Sequence, residues 1–154
     1  MEALPSEQRG QTAFVFFDLE EAGLLGSAAF RKRHKAVMKN KLLINFDCVS
    51  DGDTLMMILK KSALEKYAPA LRSSFLPHPV KKFILESSRV HYPSDQLNFK
   101  VSAAVASFRE KPFIGYYMNK IPTDQDRVFD EENISYLVSS MINFVHSVLI
   151  KKHP

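Results

Sequence analysis

Tryptophan is absent from this chain of 154 residues, and cysteine occurs once. No apolar run comes near the ~20 residues that a membrane-crossing helix needs. The single Cys48 excludes an internal disulfide and fits a reducing compartment. It lies in an apolar run, which suits a small buried hydrophobe better than a nucleophile. The N-terminal MEALPSEQRGQ is polar and has no signal-peptide core. As written, the chain is expected in the cytoplasm, with membrane association only if a longer native chain carries spanning segments upstream. There is no internal repeat and no low-complexity stretch. Gly23-Leu24-Leu25-Gly26 lacks the G-x-G-x-x-G spacing of a dinucleotide site. A net charge of +4 with pI 9.2 is too mild to argue a nucleic-acid partner, and none is expected.

What is present suits one globular domain. Hydrophobic residues make up 45% and charged residues 25%, and twelve Phe supply core bulk. Thr12–Phe17 reads as a buried strand, short, β-branched and aromatic. Leu24 to about His34 reads as a helix with Leu24, Leu25, Ala28, Ala29 and Phe30 inward. Leu42–Val49 reads as a second strand. Ser50-Asp51-Gly52-Asp53 reads as a turn, and Thr54–Lys60 as a third strand. Poor alternation in Thr54–Lys60 predicts that both its faces are covered. Ser62–Phe75 reads as a helix with Ser62 as N-cap and Glu65 at the capping-box spacing, ended by Pro77 and Pro79. Lys82–Ser87, Val101–Phe108 and Phe113–Met118 are further strand candidates. Ile134, Leu137, Val138, Met141, Val145 and Val148 make a helical stripe, opened by Asp130-Glu131-Glu132, acids that suit a helix N-terminus. Strands interleaved with helices predict an α/β protein with a mixed, mostly parallel sheet flanked by helices. Such sheets carry their chemistry at strand carboxyl ends. Asp18 to Glu21 follows the first strand and Asp47 lies near the end of the second. The spacing alone fits either solvated acids at a helix start or part of a metal site.

Four segments resemble, in order, the co-catalytic zinc aminopeptidases of peptidase family M28. FVFFDLEEAGLLGS resembles the glutamate-pair segment, LLINFDCVSDGD the Asn-x-Asp strand, YPSDQLNF the Ser-Asp segment, and IPTDQDRVFDEENI the His-Thr-x-x-Asp segment before the last helix. The resemblance implies a zinc-exopeptidase fold, here a partial domain over 1–154, with zinc as cofactor and peptides as substrate. Residue by residue it implies Glu20 as general base, Glu21 and Asp47 as zinc ligands, and Asp95 as a site acid that is not a ligand. Pro122 stands where the family has a histidine ligand. The family's first histidine ligand and bridging aspartate precede the glutamate pair, and MEALPSEQRGQ contains neither His nor Asp. The metal site is therefore expected to be incomplete, with zinc absent or weakly held and the isolated chain inactive. Among the histidines, His91 in RVHYPSD lies nearest a family motif in sequence, and none is read as replacing the absent ligands. The alternative is a non-catalytic interaction module on the same scaffold. A third reading is a basic surface binder built on Arg31-Lys32-Arg33-His34-Lys35 and the Lys151-Lys152 tail. A sheet edge left uncovered is expected to drive homo-oligomers.

Overall fold

The computed structural model describes residue 6 and residues 10–75, 82–86, 92–118 and 129–150. Helix α1 spans Leu25–Arg33 and the short α2 spans Lys35–Met38. Strand β1 (Leu43–Phe46) follows, then β2 (Thr54–Leu59), helix α3 (Lys61–Ser74) and β3 (Lys82–Glu86). A single 3₁₀ turn, Asp95–Asn98, precedes β4 (Ser102–Lys111), β5 (Gly115–Tyr117) and the long α4 (Glu131–Ile150). The strand order is β1-β4-β2-β3, with β5 added to the far end of β4. Along the four-strand path two of the three pairings, β1 with β4 and β2 with β3, are parallel, while β2 and β5 run antiparallel to β4. The result is the mixed α/β sheet expected from the sequence.

The core follows from side-chain alternation. Leu55, Met57 and Leu59 of β2 and Ala103 and Val105 of β4 form one face. Ala63, Leu71 and Phe75 from and beside α3, and Leu137 and Phe144 from α4, pack on that face. Met56, Ile58, Ala104 and Ala106 alternate with these and are buried on the other face. Every residue of β2 is buried, as its lack of alternation predicts. Alanines in the middle of β4 let other elements approach this central strand closely. On the second face, the Ser102 hydroxyl donates to the carbonyls of Gln96 and Phe99, which seats the 3₁₀ turn against the sheet. Phe99 stacks on Phe17, and both rings meet Phe30 of α1. The sheet thus carries α3 and α4 on one side and the 3₁₀ turn, with α1 packed on it, on the other.

Several expectations need correction. Thr12–Phe17 forms no strand. Phe14 is 65% exposed and Phe16 95% exposed, and among the described residues only Phe17 of the run finds aromatic partners. An apolar run becomes a strand only when a neighbour takes up its backbone groups, and among the described residues β1 pairs on one side alone, with β4. In α1, Leu25 and Ala29 face solvent and Ser27 is the buried residue. Ser62 is not the cap of α3. Lys60 occupies that position without a side-chain cap, Ser62 donates to the Lys100 carbonyl, and Glu65 lies near Lys61 in an exposed pair. In α4, Val138 is exposed and Phe144, seven residues beyond Leu137, lies in the core. Asp130 caps α4 as expected, accepting from the backbone N–H of Glu132 and Asn133. Pro77, Pro79 and Pro122 lie outside the described residues.

Leu59→Ala is expected to cost about 2–5 kcal/mol, because Leu59 is wholly buried in the core cluster. Phe16→Ser is expected to change stability by no more than about 0.5 kcal/mol. Urea unfolding of the two variants beside the parent checks this contrast, and equal costs would return the Thr12–Phe17 run to the core.

Candidate functional site

The glutamate pair sits in a tight loop that the backbone itself builds. The Glu20 carbonyl accepts from the N–H groups of both Gly23 and Leu24, at 3.0 and 2.9 Å. The carbonyls of Leu19 and Asp18 accept from Leu25 and Gly26, the first residues of α1. A side chain at position 26 would place its Cβ 2.2 Å from the Asp18 carbonyl oxygen, so only glycine allows this closure. Leu19 and Leu24 are held at φ 57° and 60°, a left-handed conformation that costs a leucine about 1–2 kcal/mol. Glu20 is half-buried and Glu21 exposed.

Asp47 comes off the carboxyl end of β1. Its N–H donates to the Val105 carbonyl and so extends the parallel ladder by one residue. Cys48 then turns left-handed at φ 52°. Both Asp47 carboxylate oxygens accept a hydrogen bond, Oδ1 from the Cys48 thiol at 3.2 Å and Oδ2 from the Tyr92 hydroxyl at 3.1 Å. Burial, and next the Asp47 charge, push the Tyr92 hydroxyl far above the ordinary phenol range, so it stays a donor at neutral pH.

Asp95 opens the 3₁₀ turn and is only 6% exposed. Its Oδ1 is buried and finds no hydrogen-bond partner among the described residues. The turn is tied on both sides. Asn45 of β1 donates through Nδ2 to Ser94 Oγ at 2.9 Å and Gln96 Oε1 at 3.3 Å. Asn98 donates through Nδ2 to Ser27 Oγ at 2.7 Å and to the Leu24 carbonyl at 3.2 Å. The Asp95 segment therefore bridges the end of β1 and the start of α1.

The electrostatics follow from this bridging. Partial burial, then the charges of Asp47, Glu21 and Asp95, raise the Glu20 carboxyl above the ordinary carboxylic-acid range. Acids from three separate segments thus act on one group. Asn45, Asn98 and Tyr92 organise this place; by sequence reasoning they were met only inside the Asn-x-Asp and Ser-Asp motifs and given no role. An asparagine between Ile44 and Phe46 in an apolar strand was the available signal, since a polar side chain there needs a partner. An open depression of about 460 Å³, lined by Asp53, Thr54, Lys82, Glu110 and Pro112, includes none of the four acids.

The profile of peptidase family M28 matches residues 3–133. The chain belongs to peptidase family M28. Among solved structures it is similar to the LapA aminopeptidase of Legionella pneumophila, with a TM-score of 0.60 and 13% identity over 88% of this chain. At that identity the likeness is one of fold. The chain spans 38% of the length of that aminopeptidase. No curated protein matches it.

The M28 family implies zinc, so the residues present were held against a zinc site. Among the described residues no group of three or more His, Cys, Asp or Glu side chains is placed to hold a metal ion. A catalytic zinc takes three protein ligands and an open position. The carried-over pair Glu21 and Asp47 falls short of that number, and Asp47 already accepts two internal hydrogen bonds. The described residues do not fit a catalytic zinc.

Asn98→Ala is expected to cost about 1–3 kcal/mol, because it leaves the buried Ser27 hydroxyl and the Leu24 carbonyl without this donor. Thermal unfolding reads the loss directly. Glu20→Gln is expected to act in the opposite direction. The raised carboxyl binds its proton more tightly in the folded chain than in the unfolded one, so ionising it costs folding stability. That cost appears as pH rises above the ordinary carboxyl range. The variant should therefore exceed the parent in Tm at pH 7. The difference should shrink as pH falls through the ordinary carboxyl range. A variant less stable than the parent at neutral pH would contradict the crowding of acids around Glu20.

Proposed function

We propose that this chain is an aminopeptidase-like domain of its family whose peptide site is the end of β1 and the loop before α1. In this reading Glu20 stands at the general-base position, Glu21 and Asp47 at zinc-ligand positions, and Asp95 at the position of the accompanying acid. The observation that carries it is the pair of clamps that ties the Asp95 turn to the end of β1 through Asn45 and to the start of α1 through Asn98, with the Glu20 carboxyl raised there by burial and then by the charges of Asp47, Glu21 and Asp95. Surface acids that merely cap a helix have no need of such mutual approach, which is unfavourable until a cation or a proton offsets it. Left-handed Leu19 and Cys48 beside the acids fit the same reading, since strained backbone concentrates at functional sites.

We further infer that the 154-residue chain by itself does not hydrolyse peptides. A carboxylate base at neutral pH needs a water made acidic by a metal, and a metal needs ligands beyond the two carried over. The double hydrogen bonding of Asp47 supports the second reading, in which the same scaffold serves as a non-catalytic interaction module. The one-sided pairing of β1 among the described residues and the exposed Phe14 and Phe16 support self-association, which light scattering reads directly.

The deciding assay is hydrolysis of aminoacyl p-nitroanilides with added zinc by the parent, Glu20→Gln and Pro122→His, with metal content measured after desalting. No turnover by the parent and at most weak metal retention by Pro122→His are expected. Turnover by the parent that Glu20→Gln abolishes would overturn the inactive reading and leave the site assignment standing. Turnover indifferent to Glu20→Gln would remove the site assignment too.

A further inference from the structure

Between Glu21 and Asp47 the chain contains no acid at all, and it contains six cations, Arg31, Lys32, Arg33, Lys35, Lys39 and Lys41. All six are exposed, on α1, α2 and the residues that follow α2. None lies in an ion pair among the described residues, although surface pairs do form elsewhere, as at Lys82–Glu110 and Arg109–Asp51. Three cations in the last turn of α1 complement the helix dipole. That accounts for half of them; Lys35, Lys39 and Lys41 make no ion pair among the described residues. The field also has no internal sink. Lys60, half-buried, spends its ammonium on the Leu97 and Phe99 carbonyls and has its proton affinity lowered by burial and by Arg31. Val37, 64% exposed, puts an aliphatic side chain between the exposed Lys35 and Lys39.

We propose that the α1–α2 ridge is a docking surface for an anionic lipid bilayer, with its six cations meeting headgroup phosphates and Val37 entering the interfacial layer. Charge complementarity names the occupant as polyanionic, and two features favour lipid over nucleic acid. Four of the six cations are lysines, compact point charges suited to a field of headgroups rather than to planar bidentate reading of bases. The aromatic rings of the ridge are turned inward: Phe30 packs on Phe17 and Phe99, and His34 lies against Phe30. No exposed ring is left between Leu25 and Lys41 to stack on a base. An exposed aliphatic among lysine stems, as Val37 is here, is what an interfacial surface uses. The ridge is separate from the carboxylates. It begins beside them and carries its charge at the other end of α1, about 13 Å away for nine helical residues.

The test is co-sedimentation of the full chain with phosphatidylcholine vesicles, with and without phosphatidylglycerol. It is run at low ionic strength and at about 0.5 M salt, where screening shortens the reach of charge to a few ångströms. Binding to the anionic vesicles alone, lost at high salt, is expected. Combined Lys35→Gln, Lys39→Gln and Lys41→Gln should weaken it by roughly fivefold per charge removed, on the order of a hundredfold together. Val37→Ser should weaken it less, and Phe113→Ser with Ile114→Ser, at the exposed tip between β4 and β5, should leave it unchanged. Far-UV circular dichroism confirms folding, and the single lysine variants carry the same test if the triple one misfolds. Equal binding to phosphatidylcholine alone, no binding at all, or indifference to the lysine changes would overturn the proposal. Tighter binding to a mixed-sequence DNA duplex than to the anionic vesicles at the same salt would overturn it in favour of nucleic acid.

Discussion

The clamp on the 3₁₀ turn is the constraint on which the candidate site depends. Asn45 holds Ser94 and Gln96, Asn98 holds Leu24 and Ser27, Ser102 holds the carbonyls of Gln96 and Phe99, and Lys60 holds those of Leu97 and Phe99. Each is a hydrogen bond between segments far apart in the chain or a seat on the sheet. All but the Lys60–Leu97 bond are at least partly withdrawn from water, so leaving one of those unmade costs more than losing an exposed one. A stretch of four residues with no regular strand or long helix of its own is fixed in this way. Without it the loop of Glu20, the end of β1 and Asp95 would have no common frame.

The acids this frame collects work against folding. Like charges brought together on Glu20 raise its carboxyl, and Leu19 and Cys48 hold left-handed backbone beside them. Asp95 keeps a buried carboxylate oxygen without a partner among the described residues. A fold selected for stability alone has no reason to gather these features in one place. Functional sites accumulate them, because groups poised for a ligand are groups left unsatisfied without one. The cost is offset by a core that is tightly closed elsewhere, with β2 and the first half of β4 buried along their whole length.

Charge is also sorted along α1. Its start adjoins the acids and its end carries the cations, so the helix separates two surfaces of opposite sign. The sorting follows from the dipole in part, but the acids beside α1 do not cap it with their side chains. They are oriented by the loop hydrogen bonds to Gly23, Leu24, Leu25 and Gly26 instead. The two surfaces can therefore be altered separately, the acids without touching the ridge and the ridge without touching the acids.

Family membership was legible in four motifs in order, and the α/β class was legible in the alternation of apolar runs and helical stripes. β2, β3 and α4 lay close to where the periodicity put them, because each is long or apolar enough for local pattern to dominate. The run Thr12–Phe17 reads equally well as a strand, yet it is exposed, since strand formation belongs to the pair and not to the segment. Ser62 has the right chemistry for a cap but serves Lys100, a partner 38 residues away. The sequence by itself determined which acids exist, how they are spaced, and that no acid interrupts the basic stretch between Glu21 and Asp47. Only the tertiary structure decided that Asp47, Glu21 and Asp95 act together on Glu20, because long-range hydrogen bonds through Asn45 and Asn98, not local propensity, bring those segments together.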